Sequence, residues 1–262
     1  AFTDASRPQW LPEGRIWAPC INRVGSQYVL YYSKSVWGGE WDAGIGVATS
    51  LSPTGPFTDH GNMFISKGIG IQNCIDPFYI EDGGRKYLFW GSFHGIYGCE
   101  LSDDGMSLKA GAKPQQVAGS FMEGTYIKRR GGYYYLFGSA GTCCDGERST
   151  YRVTVGRSRS LFGPYVDRQG RPLLDNNYEV MLHRNQRVIG PGHNAELVTD
   201  AEGSDWLLYH GFSADSPDEG RKVWLDRVDW VDGWPHIMGS SPSAVAAAPV
   251  VEGMKNLTLS GL

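Results

Sequence analysis

Four phrases of this chain repeat one another, and no other feature constrains the fold as strongly. They are GSQYVLYYS (25–33), GRKYLFWGS (84–92), GGYYYLFGS (131–139) and GSDWLLYHG (203–211). Each opens on a turn-prone glycine, passes through an aromatic residue into an apolar run and closes on small residues, as a hairpin leading into a buried strand does. A short apolar run precedes each phrase: APCINRV, DPFYIED, GTYIKRR and NAELVTD. Two units continue alike, as GVATSLSPTGPFTD (46–59) and GRSRSLFGPYVD (156–167), and further strands are legible in YGCELS (97–102) and VWLDRVDW (223–230). About four short strands recurring every roughly 45–70 residues is the pattern of a β-propeller blade with its loops. The expectation is an all-β chain of propeller type with four blades evident. A β-sandwich also strings short strands together, but it accounts less well for repeated hairpin phrases.

Composition narrows the classes of partner. With 36 Gly, 14 Pro, 14 Tyr and 9 Trp, and hardly any long amphipathic helical window, the chain suits strands that present flat aromatic faces, such as sugars stack on. A net charge of -4 gives no broad electropositive field and argues against nucleic acid, so KRR at 128–130 reads as a solvated hairpin end. No apolar run reaches membrane-spanning length, and AFTDASRPQW lacks the regions of a signal peptide, so an export signal is expected to have been removed already. Cys20, Cys74, Cys99, Cys143 and Cys144 fit no metal-ligand spacing and read mostly as buried thiols, with a disulfide between distant cysteines left open.

The repeat singles out two carboxylates. Counted back the same distance from Tyr87 and Tyr134, Asp76 and Glu123 occupy the same place in successive units, while Trp17 and Ala195 occupy it relative to Tyr28 and Trp206 in the first and fourth. Innermost propeller strands converge on a central channel, so two acids at strand entries would face one aromatic cleft. Such a pair is what glycoside hydrolysis uses, one acid to protonate the leaving oxygen and a second carboxylate to assist attack at the anomeric carbon. Glu123, beside Phe121, Met122 and Gly124, has the apolar setting that keeps a proton available near neutrality. Capping or surface roles for both carboxylates are the alternative.

A longer set of phrases carries a resemblance: WAPCI (17–21), NCIDPF (73–78), GSFHG (91–95), MEGTYI (122–127), YYYLFGSAGTCC (133–144), STYRVTVGRS (149–158), GPGHN (190–194) and DGWP (232–235). In order and over about residues 17–237, they resemble glycoside hydrolase family 43, and within it the endo-α-1,5-L-arabinanases. The resemblance implies a five-bladed β-propeller that hydrolyses plant arabinan or arabino-oligosaccharides with inversion. Glu123 matches the general acid, and Asp76 the aspartate that modulates the pKa of the family's acid and orients it. Trp17, Phe93, Ser139 and Tyr151 match positions around the sugar cleft. His94 stands where the family has an aromatic platform, and Cys20 stands where WAPDI has its aspartate. His193 matches a histidine that helps hold a Ca2+ or Na+ ion through water at the propeller axis, and no organic cofactor is implied.

The family's general base, an aspartate in an Asp-Pro motif of the first blade, has no match here; Asp4, in FTDASRP, does not carry that motif. The expectation is therefore a propeller domain over residues 1–238 whose first blade is largely missing or completed by another segment or chain, then a closing segment or linker over 239–262. Without a base, inverting hydrolysis should fall by roughly 10²–10⁴-fold. Two alternatives follow: a sugar-binding propeller that does not hydrolyse, and an arabinofuranosidase or β-xylosidase. The resemblance places the chain outside the cytoplasm, secreted, periplasmic or at the cell surface. NLT at 256–258 fits a glycosylation sequon, a pattern with meaning only in a eukaryotic secretory setting.

Overall fold

Apolar residues fall in short continuous runs, such as YVLYYS and KYLFW, and such runs form strands buried on both faces. The computed structural model describes residues 1–252. Its first sheet joins β1 (Arg15–Val24), β2 (Gln27–Ser35), β3 (Gly44–Ser50) and β4 (Thr58–Ile65) in chain order, and a one-turn helix α1 (Ser66–Ile69) follows. The second joins β5 (Phe78–Asp82), β6 (Arg85–Trp90), β7 (Ile96–Glu100) and β8 (Gln115–Ala118). The third joins β9 (Met122–Arg130), β10 (Tyr133–Ala140), β11 (Arg152–Ser158) and β12 (Glu179–Leu182). In the fourth, β13 (Val188–Gly192), β15 (Asp205–Ser213), β16 (Arg221–Val231) and β17 (Trp234–His236) run in order, with β14 (Leu197–Thr199) also paired to β15. The chain is thus all-β and of propeller type, with the four blades that the repeat predicts, and each of the four phrases supplies a second strand of its hairpin.

The chain divides into two compact units. One is Ala1–Phe137 with Gly156–Tyr178, and the other is Gly138–Val155 with the chain from Glu179 onward. In the first unit, Val29, Tyr31, Ile45, Val47, Leu88 and Trp90 form a core in which the Tyr31 and Tyr79 rings stack at 5.7 Å. In the second, the chain beyond β17 forms no strand up to residue 252. It covers that unit instead: Ser241 Oγ and the Pro242 carbonyl accept from Asn185 Nδ2, Asp226 Oδ1 accepts from the Ser243 amide, and the Val250 carbonyl accepts from the Ala201 amide. The NLT triplet lies outside the described residues.

The cysteines divide differently from the expectation at one point. Cys143 and Cys144 are joined to each other, so the vicinal pair is not a pair of buried thiols. Cys74 and Cys99 are buried thiols and Cys20 a partly buried one. No helix among the described residues is long and apolar enough to cross a membrane.

The buried phenols and thiols of the first unit make its stability depend on alkaline pH. Burial raises the Cys74 thiol from 9.0 to about 11 and the Tyr79 hydroxyl from 10.0 to about 12, and raises Tyr31, whose hydroxyl donates to the Gly105 carbonyl, further still. Above the unfolded values the native state holds more protons than the unfolded chain, so stability is full below pH about 9 and is lost as pH rises beyond it. Urea midpoints are expected to fall between pH 8 and 10.5, and to fall less in Tyr31→Phe.

Candidate active site

Left-handed backbone marks the same point in every unit. Ala18, Asp76 and Gly124 have φ of 32°, 59° and 66°, and each lies seven residues before the first turn glycine of its hairpin, Gly25, Gly83 or Gly131. His193, with φ 45°, occupies the comparable place ahead of β14 and β15. This corrects the equivalence read from the phrases: the counterpart of Asp76 is Gly124, and Glu123 sits one residue earlier, level with Ile75 and Trp17. The count slipped because Tyr133 and Tyr134 are both aromatic where the second unit has Arg85 and Lys86, so Tyr135, not Tyr134, corresponds to Tyr87. A one-residue slip ordinarily sends a side chain to the opposite face of a strand. The left-handed residue interrupts that alternation, and the two carboxylates still meet one local structure.

That structure is built by backbone and hydroxyl contacts. Glu123, 9% exposed at the start of β9, accepts a hydrogen bond from Ser92 Oγ at 2.7 Å. Asp76, 5% exposed, donates its amide to Ser33 Oγ at 2.8 Å and accepts the Gly124 amide on Oδ2 at 3.1 Å. Ser92 therefore fixes the Glu123 carboxyl group, and Asp76 fixes the Gly124 N–H of the peptide that follows it. Ser33 is paired with Trp17 across β1 and β2, which ties the first sheet to the same place.

The GSFHG loop after β6 closes the arrangement. Its Gly91 amide donates to the Ile75 carbonyl at 2.9 Å, its Phe93 amide to the Met122 carbonyl at 3.0 Å, and its Ser92 carbonyl accepts from Asn73 Nδ2 at 3.1 Å. Gly91 has φ 133°, and a Cβ there would overlap the Gly95 carbonyl, so only glycine lets the loop turn in this space. Asn73 and Phe93 are left-handed as well, with φ of 55° and 53°. Three non-glycine residues in this conformation within one small region store about 1–3 kcal/mol each, and such strain gathers at functional sites.

Aromatic side chains border the carboxylates. Trp17 meets Trp37 edge to face at 6.2 Å, Trp37 is 78% exposed, and Phe93 is 36% exposed. His94 does not stand as a free platform: its Nε2 lies 2.9 Å from Glu40 Oε2, which also accepts from Gln72, while the Glu40 carbonyl takes the Asn73 amide at 3.0 Å. The loop between β2 and β3 thereby brings Trp37 and Glu40 to the site. Neither residue was expected from the sequence, although the exposed tryptophan in SVWGGEW is the kind of signal that finds them. Trp37→Ala is expected to weaken binding of arabino-oligosaccharides by about tenfold with turnover at saturation little changed, as read by titration calorimetry beside steady-state rates.

Ser139, Tyr151 and His193 belong to the second unit. Ser139 Oγ accepts the His193 amide at 2.7 Å, and the His210 ring stacks on both Tyr151 and His193, at 5.9 and 6.1 Å. Burial, then the Arg221 guanidinium and His193, push His210 down to about 3, so its ring is neutral. Among the described residues, no group of three or more His, Cys, Asp or Glu side chains is placed to ligate a metal directly. What is present, the His193 imidazole and a buried Asn194 amide oxygen without a hydrogen-bond partner among the described residues, fits a hydrated cation reached through water.

A family model described as glycosyl hydrolases family 43 matches residues 1–235. The chain belongs to this family. An extracellular exo-α-1,5-L-arabinofuranosidase of Cellvibrio japonicus is 33% identical over 254 residues, covering 86% of this chain and 70% of its own length. An extracellular endo-α-1,5-L-arabinanase of Bacillus subtilis is 33% identical over 228 residues, covering 84% and 68%. The solved structure of a Cellvibrio cellulosa α-L-arabinanase in complex with arabinohexaose superposes with a TM-score of 0.81 at 30% identity, over 89% of this chain and 82% of that one. For a family-43 glycoside hydrolase, a glutamate buried against a serine hydroxyl and flanked by a buried aspartate is the arrangement in which acid catalysis is to be sought.

Proposed function

We propose that this chain cleaves α-1,5-linked L-arabinan, acting within the polymer and with inversion. Glu123 is the general acid and Asp76 the residue that tunes and orients it. The observation that carries the reading is the pair of buried carboxylates meeting at one segment, Glu123 accepting from Ser92 Oγ and Asp76 accepting from the Gly124 amide. Glu123 delivers its proton to the glycosidic oxygen as the bond to the anomeric carbon breaks, and water adds its hydroxyl to the opposite face while losing a proton to a base. No residue of the chain is assigned as that base. Trp17, Trp37, Phe93 and His94 provide the sugar-facing surface of the first unit. His193 and the Asn194 amide oxygen would hold a Ca2+ or Na+ ion through water, and that ion would supply positive charge there.

The extracellular relatives and the Cys143–Cys144 disulfide support an extracellular setting, where such bonds persist. The relative named as an exo-acting arabinofuranosidase favours a second reading, removal of terminal arabinose. Chromatography of early products from linear α-1,5-arabinan separates the two. A ladder of oligosaccharides supports internal cleavage, arabinose or one short product alone supports exo action, and no product from the folded protein leaves a binding propeller.

A further inference from the structure

A third carboxylate of the first unit, Glu40, has no role yet, and its reading rests on the arabinan cleavage proposed above. It lies in the loop between β2 and β3, three residues after the exposed Trp37. Its Oε2 is already engaged, by His94 Nε2 at 2.9 Å and by Gln72 Nε2. A carboxylate only accepts hydrogen bonds, so His94 carries a proton on Nε2, and Glu40 Oε1 and His94 Nδ1 are the atoms that remain. Neither has a hydrogen-bond partner among the described residues, and Oε1, on a half-buried side chain, is not among the enclosed polar atoms. Two polar atoms linked through one hydrogen bond are therefore open to a ligand.

The frame that carries the acid also holds this pair in place. The Glu40 carbonyl accepts the Asn73 amide at 3.0 Å, and the Trp41 carbonyl next to it accepts the Lys67 amide at 3.0 Å. Asn73 Nδ2 in turn donates to the carbonyl of Ser92, whose hydroxyl fixes Glu123. Exposed rings accompany the pair, since Trp37 shares the Glu40 loop and Phe93 adjoins His94. The mixture selects a class of ligand. Rings take the C–H face of a sugar, and the Glu40 charge disfavours an anionic one. An arabinofuranosyl residue linked through C1 and C5 keeps two neighbouring hydroxyls, on C2 and C3. One can donate to Oε1, and the other can donate to Nδ1 of a neutral imidazole or accept from a charged one. We propose that Glu40 and His94 form a subsite for the C2 and C3 hydroxyls of one arabinofuranosyl residue, with Glu40 as a specificity-determining residue.

The test is calorimetric titration with arabinotriose and with its analogues lacking the C2 or the C3 hydroxyls, on Glu123→Gln protein so that the ligand stays whole, and again with Glu40→Ala added. Loss of the hydroxyl that Glu40 accepts is expected to weaken arabinotriose by at least about tenfold, the scale of one hydrogen bond to a charged group. With Glu40→Ala, arabinotriose should bind no better than that analogue, so the difference between the two ligands disappears. A direct contact gives this coupling, and a merely structural role does not. Glu40→Gln, which keeps an oxygen for Gln72 or His94, should show a smaller difference than the protein with Glu40 in place. With Glu123 intact, Glu40→Ala should raise KM for arabinan and change kcat little. Analogues that bind as tightly as arabinotriose, or a difference unmoved by both Glu40 variants, overturn the subsite and leave arabinan cleavage standing. Absence of both binding and cleavage of arabinotriose with Glu40 in place overturns the subsite and the arabinan reading together.

Discussion

Glu123→Ala is expected to lower turnover on linear α-1,5-arabinan by roughly 10²–10⁴-fold, the range of a positioned proton donor, while affinity for arabino-oligosaccharides changes little. The expectation follows from where the side chain ends. Its Oε2 is fixed by Ser92 at 2.7 Å, and Ser92 is carried by a loop bonded to the entries of β5 and β9. The carboxyl group is therefore aimed before substrate arrives, and geometry of that kind is what proton transfer requires. Glu123→Gln provides the sharper comparison, because the amide oxygen can still accept from Ser92 but the side chain has no acidic proton to give. Aryl arabinofuranosides with good leaving groups need little protonation, so both variants should lose far less on them than on arabinan. Equal losses on the two substrates would move Glu123 from chemistry to binding or folding, and an unchanged arabinan rate would remove it from the mechanism.

Legibility of this fold and site follows the range of the interactions. Hairpins were legible because a turn glycine, an aromatic and an apolar run lie within nine residues of each other, and the four phrases became β2, β6, β10 and β15. The two carboxylates were legible as neighbours, but their register was not: consecutive tyrosines at 133 to 135 offer several equally aromatic alignments, and only the paired turn glycines and left-handed φ values distinguish them. Partners distant in the chain left no local trace. Ser92 reaches Glu123 across 31 residues and Ser33 reaches Asp76 across 43, and a serine at the end of a strand phrase looks like any other small residue there. Trp37 and Glu40 escaped for a related reason, since a glycine-rich loop has no periodicity to read. Adjacent Cys143 and Cys144 misled because neighbouring cysteines seldom bond to one another, and here a loop joins them.

Asp76→Asn isolates the charge that the fold places beside the acid. Asparagine tolerates the left-handed backbone at φ 59°, keeps the amide bond to Ser33 Oγ, and retains an oxygen for the Gly124 N–H, so the frame should stand. What disappears is a negative charge in a buried setting next to the Glu123-Gly124 peptide. The variant is therefore expected to lose kcat/KM by roughly 10²-fold, comparable to a small misplacement of catalytic groups, with its unfolding stability little changed. Asp76→Ala should behave differently. It forces a less tolerant residue into the left-handed region and strands the Gly124 amide, so unfolding stability should drop by about 2 kcal/mol along with activity. If Asp76→Asn keeps the wild-type rate while Asp76→Ala loses it, Asp76 holds the Gly124 peptide and nothing more. If Asp76→Asn loses rate with stability intact, its charge acts in the step that Glu123 drives.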